Sequence, residues 1–367
     1  MPTLDSSCAF ISITRMGILV RIRKALMLAP LVAMTTVMSV VSGAGSSSAD
    51  NASDLALYHP SSGWAQSLMG AGSVTSTGAG VTIYVIDGPM NITLPEFGGR
   101  ASIAQNYFPP NTTGTFLDDH ATEVAVAAAG STLGLAKQAT IKSVQVRPDC
   151  SGQCVDYQRL VDGVNWVKSD HQGKGPAVAV ISANLSSNFG FGGDPNHQLR
   201  DAVNALAADN VFVAVSAGNY DDTAPAPLQP LSVNACFNPP ADAAGPMIAA
   251  ASDASDKHVW QEITPSGAGH SVQKIWTSSG FGCADIFAPG QWIDTKLADG
   301  TDTMQSGTSF STPYVAAAAA LYKSKFGDAA SPTIKTWLLQ HAAPMKGLYT
   351  NWLYGNDPTG RLNLNGL

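Results

Sequence analysis

The chain has 367 residues, 45% of them hydrophobic and 13% charged, with a formal net charge of −7. That length and apolar share can bury one large core or two modest ones, which excludes a disordered chain. The charge is mild and spread out, with no basic run or basic-aromatic interleaving to neutralise phosphates, which excludes nucleic acid as a partner.

Residues 1–49 read as a leader. Arg21, Arg23 and Lys24 precede ALMLAPLVAMTTVMSVV, and the small residues of SGAGSSSA follow. A basic start, an apolar middle and a small-residue end form the pattern of a secretory signal, with cleavage expected near Ala44 or Ala49. The apolar run is short of the ~20 residues a bilayer span needs, and Pro30 interrupts it. The expectation is a secreted protein, extracellular or periplasmic, with no stable membrane association after cleavage. Loss of the leader removes Cys8 and leaves Cys150, Cys154, Cys236 and Cys283, an even count that favours disulfides in an exported chain. Of the three pairings, Cys150 with Cys154 inside CSGQC and Cys236 with Cys283 are preferred, with buried free thiols as the alternative. Metal-spaced histidine clusters are missing, which argues against zinc.

Beyond the leader, near-continuous apolar runs recur at residues 81–87, 140–146, 177–185 and 211–218. Runs without alternation suit strands covered on both faces. Helical patterns fall between them: one beginning at Glu123, one following Leu160 and one following Leu199. The alternating order predicts an α/β protein, with a mostly parallel central sheet and helices on both faces. No internal repeat is present, and no linker divides the chain.

In such sheets chemistry collects outside the carboxyl ends of the strands. The first run ends at Asp87, a costly place for a carboxylate unless it is paired. His120, in LDDHATEVA, could use it: an acceptor on one ring nitrogen leaves the other free to take a proton. Ser309 opens the alanine-rich GTSFSTPYVAAAAALY, where helix N-terminal N–H groups favour negative charge, and a serine hydroxyl becomes a nucleophile once a base takes its proton. Singly, each has a bland reading as a turn aspartate, a surface histidine or a helix cap; their joint occurrence points to nucleophilic catalysis.

GTSFSTPYVAAAAALY resembles the serine motif of the subtilases, commonly GTSMATPHVAG. VTIYVIDG resembles their aspartate strand and DHATEVA their histidine motif, HGTHVAG, in the chain order Asp, His, Ser. VRPDCSGQC, VAVSAGN, ACFNPPADAAGPMIAAASDAS and GFGCADIFAPG are similar to the proteinase K and aqualysin branch. The resemblance covers about residues 60–345 and implies a subtilisin-like three-layer fold, with one catalytic domain over residues 50–367. It also implies a serine endopeptidase acting on proteins or peptides as a monomer: Ser309 the nucleophile, His120 the general base and acid, Asp87 the orienting carboxylate, and Asn219 an oxyanion-hole donor. Asn184, Leu185 and Ser186 of NLSS match the substrate-binding strand edge and, with Ala217 and Gly218, would line the pocket before the scissile bond. Ser186 stands where glycine is usual, which narrows that pocket. No cofactor is implied for catalysis, and Asp285 stands where relatives offer a calcium ligand.

The pattern also departs from the family. Gly88 and Pro89 follow Asp87 where a hydroxyl residue is preferred, Ala121 replaces a glycine, and Glu123 and Tyr314 each replace a histidine. Glu123, with Asp118 and Asp119, is placed to stabilise a protonated His120. No propeptide domain is evident between Ala49 and Trp64. The insertion over residues 257–280 reads as a decorated surface loop. The alternatives are a catalytically impaired relative that binds peptides or a partner, and a transpeptidase using the same three side chains.

Overall fold

The structure, a computed structural model, describes residues 60–108, 119–146, 157–183, 194–219, 234–259, 283–348, 350–351, 355–356, 358 and 360–367. All of them fall within the unit Ala49–Leu367. The leader lies outside the described residues.

In chain order the elements are α1 (Trp64–Met69), β1 (Thr82–Asp87), β2 (Ala101–Asn106), α2 (Asp119–Ala129), β3 (Thr140–Gln145), α3 (Tyr157–His171), β4 (Ala177–Ile181), α4 (Gln198–Ala208), β5 (Val211–Ser216), β6 (Met247–Ser252), β7 (Ile286–Pro289), β8 (Ile293–Lys296), β9 (Asp302–Gln305), α5 (Thr308–Phe326), α6 (Ser331–Gln340), β10 (Ala343–Pro344), β11 (Thr350–Asn351), β12 (Gly355–Asn356) and β13 (Gly360–Arg361). Among the described residues nine strands form one sheet, in the order β10-β13-β7-β6-β5-β4-β1-β3-β2. All its pairings are parallel except β10 with β13.

Alternation along the strands divides the core in two. Ile83 and Val85 of β1, Val178 and Val180 of β4, and Phe212 and Ala214 of β5 face α2 and α5. Tyr84 and Ile86, Ala179 and Ile181, and Val213 and Val215 face α3 and α4. A strand buried on both faces has no polar side to show, which explains the unbroken apolar runs. Gly163 of α3 lets that helix press onto the sheet: a Cβ there would lie 2.4 Å from Val146.

The helix α5 is the axis of the molecule. Ala316 to Ala320 are wholly buried, packed against β4, β5, β6, β7 and α2. Alanine on α5 faces alanine on α2, so the two backbones approach closely. Lys323, in the last turn, is also buried, its Nζ donating to the Asn210 carbonyl at 2.8 Å and pairing with Asp328.

Candidate active site

Asp87 ends β1 and continues the set Ile83, Val85, so its side chain faces α2 and α5 rather than α3 and α4. Only 1% of that side chain is exposed, so the carboxylate needs partners. Its Oδ1 accepts the Gly88 N–H at 2.8 Å, and its Oδ2 lies 3.0 Å from Nδ1 of His120. An ionised carboxylate only accepts, so the pairing puts the imidazole proton on Nδ1 and leaves Nε2 as the basic nitrogen.

His120 is the second residue of α2 and keeps about a quarter of its side chain exposed. Its ring meets Phe310 edge-on, centroids 5.8 Å apart. Phe310 follows Ser309 directly, so the contact brings the histidine helix to the start of α5. Ser309 is half-buried there, its Oγ donating to the Ser182 carbonyl at 3.0 Å.

Asn219 follows β5 and is exposed. Its Oδ1 accepts the Thr308 N–H at 3.0 Å, and the Thr308 hydroxyl lies 3.2 Å from that oxygen and from the Gly218 carbonyl. A backbone N–H can only donate, so the amide oxygen must face Thr308, and the NH₂ group is presented on the other side. Gly218 has φ +95°, and a Cβ on it would sit 2.4 Å from Nδ2 of Asn238; no other residue fits. Asn238 in turn donates to the Ala217 carbonyl at 3.2 Å. Its loop is fastened by a disulfide between Cys236 and Cys283, with Cα atoms 4.9 Å apart.

Asp87, His120, Ser309, Asn219, Ala217 and Gly218 therefore converge at the carboxyl end of the sheet, although the chain separates them widely. Asn184, Leu185, Ser186, Asp118, Cys150, Cys154 and most of the insertion lie outside the described residues. Asp285, the suggested calcium ligand, has its Oδ2 2.8 Å from Lys335 Nζ, and that oxygen accepts the Ile248 N–H at 2.8 Å. Among the described residues no group of three or more His, Cys, Asp or Glu side chains could hold a metal.

The departures from the motifs have structural work. Glu123 is buried, its Oε1 accepting from Nε2 of Gln305 at 2.7 Å and its carbonyl accepting the Thr295 hydroxyl at 2.9 Å. It ties α2 to the strand that leads into the serine turn. Asp119 accepts the Ala298 N–H at 2.8 Å. Tyr314 is wholly buried in α5, and that burial, with the charge of Asp294, pushes its phenol pKa well up.

Three site residues escaped the sequence reading: Ser182, Thr308 and Asn238. Thr308 lay inside a quoted motif but had no role there. Ser182 had one weak signal, a hydroxyl interrupting an apolar run. Asn238 also lay inside a quoted motif, ACFNPPADAAGPMIAAASDAS, but had no role there, because its role depends on a fold that brings residue 238 under residue 217.

A match to the subtilase family covers residues 78–358. The chain is 32% identical over 284 residues to an extracellular serine proteinase of Thermus sp. (strain Rt41A), covering 76% of this chain and 58% of that one. It is 29% identical to alkaline serine exoprotease A of Vibrio alginolyticus, covering 75% of this chain and 44% of that one. The chain thus spans about half the length of these curated relatives. The crystal structure of a cold adapted subtilisin-like serine proteinase superposes with a TM-score of 0.61 at 27% identity, covering 80% of this chain and 91% of that one. Since the family match spans residues 78–358, a range that includes Asp87, His120 and the helix of Ser309, the chain belongs to the subtilases.

Proposed function

We propose that this subtilase is an exported serine endopeptidase that cleaves peptide bonds through an acyl-enzyme. His120 takes the Ser309 proton as Oγ attacks the scissile carbonyl, and returns it to the leaving amine; a water then repeats the cycle to release the acid. Asp87 holds the Nδ1–H tautomer and stabilises the imidazolium. The Asn219 amide and the Ser309 N–H donate to the oxyanion, whose charge is greater in the tetrahedral intermediate than in the planar carbonyl. Subtilases need no cofactor for catalysis, and the steps above use only these groups.

The observation that carries the reading is the 3.0 Å pairing of a buried Asp87 with His120 beside the start of α5. Substrates are proteins or peptides, held as an extended chain along residues 184–187. Moderately sized apolar or aromatic side chains enter beside Ala217 and Gly218. Export is supported by the leader and by a relative named extracellular. None of the described helices is long and apolar enough to cross a membrane. The enzyme is taken to act as a monomer.

A fluorophosphonate probe tests the reading. The purified protein is expected to label, and Ser309→Ala to abolish labelling while the fold is retained. Mass analysis of peptide products should show hydrolysis rather than ligation. An unlabelled, folded wild-type protein would leave a peptide-binding relative, and ligated products a transpeptidase.

A further inference from the structure

Pro313 is the sixth residue of α5. In an α-helix the N–H of residue 313 would bond the carbonyl of residue 309, but proline has no N–H, and its ring crowds that same carbonyl. The orphaned acceptor belongs to Ser309, the residue whose hydroxyl does the proposed chemistry. Ser182 answers it: its Oγ donates to the Ser309 carbonyl at 2.9 Å, while the Ser309 Oγ donates to the Ser182 carbonyl at 3.0 Å. Ser182 follows β4 directly, is 4% exposed, and by alternation with Val178 and Val180 must face α5. The two serines clasp each other across 127 residues of chain.

From this geometry we infer that Ser182 is the positioning residue of the nucleophile, standing in for the hydrogen bond that Pro313 deletes. The inference rests on the proposed role of Ser309. The Ser182 hydroxyl fixes the Ser309 backbone to a rigid strand end, and so fixes where Oγ and the oxyanion-facing N–H point. The Ser182 carbonyl holds the nucleophile's proton at rest. A turn of the Ser309 side chain hands that proton to His120. An unsatisfied carbonyl in the first turns of α5 would let the serine drift, and small misplacements of a reacting atom are costly in rate.

A double-mutant cycle tests this, using Ser182→Ala, Pro313→Ala and both together. Activity is read on a peptide chromogenic substrate as kcat per site titrated with the fluorophosphonate. Ser182→Ala is expected to lower kcat about ten- to a hundredfold with KM little changed. With Pro313→Ala present, residue 313 regains an N–H for the Ser309 carbonyl, and removing the Ser182 hydroxyl should then cost less than about threefold. If Ser182→Ala does not fold, the double variant is expected to fold and to match Pro313→Ala. Equal losses in both backgrounds overturn the inference, as does an unchanged kcat per site with only the titratable fraction reduced, or a double variant that also fails to fold. A wild-type protein that titrates while these outcomes fail removes Ser182 alone; one that never titrates removes the protease reading itself.

Discussion

Asp87, His120 and Asn219 are each oriented by a neighbouring group. The Gly88 N–H and the His120 imidazole divide the two oxygens of Asp87 between them. Asp87→Asn would keep the shape but favour the wrong imidazole tautomer, and kcat is expected to fall about 10⁴-fold with the melting temperature little changed. Asn219 is aimed by Thr308, so Asn219→Ala should lower kcat about 10²–10³-fold at nearly constant KM, the cost established for such a donor in a subtilisin. As the proposed base, His120 must be neutral to accept a proton. A profile of kcat/KM against pH should therefore fall on the acid side as the ring protonates, and a profile flat down to about pH 5 would contradict the assignment.

At the scale of elements, what matters is how closely α5 and the sheet pack and what pins the outer helices. Ala317 is wholly buried where α5 meets its neighbours. Ala317→Leu adds three carbons to a filled space and should cost about 1–3 kcal/mol or more in urea unfolding. On the opposite face Asp170 of α3 accepts from Tyr84 of β1 at 2.7 Å, pairs with Lys142 of β3 at 2.7 Å, and pairs with Lys174 at 2.9 Å. Burial alone would raise the Asp170 pKa. The hydrogen bonds from Lys142, Tyr84 and Lys174 outweigh burial and hold the carboxyl well below the usual carboxylate range. The folded state thus favours the ionised form. This stabilisation is complete above the ordinary carboxylate pKa of ~4 and is lost as pH falls toward the depressed folded value. Asp170→Asn should accordingly cost about 1–2 kcal/mol at neutral pH and progressively less below about pH 4, measured by denaturant unfolding across pH.

For the molecule as a whole, distant segments are fastened where the sheet alone would leave them loose. Arg361 of β13 is buried against Asp256, donating to it at 2.6 Å and to the Leu68 carbonyl at 2.6 Å, so the tail ties α1 to the loop after β6. The Cys236–Cys283 disulfide closes a loop of 47 residues and secures Asn238 beneath Ala217. Replacing both cysteines by alanine should cost about 2–4 kcal/mol of stability. It should also raise KM more than it lowers kcat, because the loosened loop supports the proposed substrate pocket rather than the proposed reacting atoms. Calorimetry and steady-state kinetics on the double variant check both expectations.

The parallel architecture was readable in the chain because strands buried on both faces must be apolar throughout. The runs ending at Asp87, at residue 146 and at residue 218 lie where β1, β3 and β5 form. The edge strand β2 was not readable: with one side open it carries Ser102, Gln105 and Asn106, and its pattern resembles a loop. Motif residues identify the kind of chemistry because few side chains can serve as nucleophile, base and oxyanion donor. Asp87, His120 and Ser309, each with a bland reading by itself, were singled out by their joint occurrence and by the likeness of their motifs to those of the subtilases. What the chain alone could not show is which groups support them. Lys335 on Asp285, Gln305 on Glu123, Asn238 beneath Ala217 and Ser182 on Ser309 are pairings between residues far apart in sequence. Such partners leave no periodic trace, since a hydrogen bond depends on a distance and an angle that exist only after the sheet and its helices have packed.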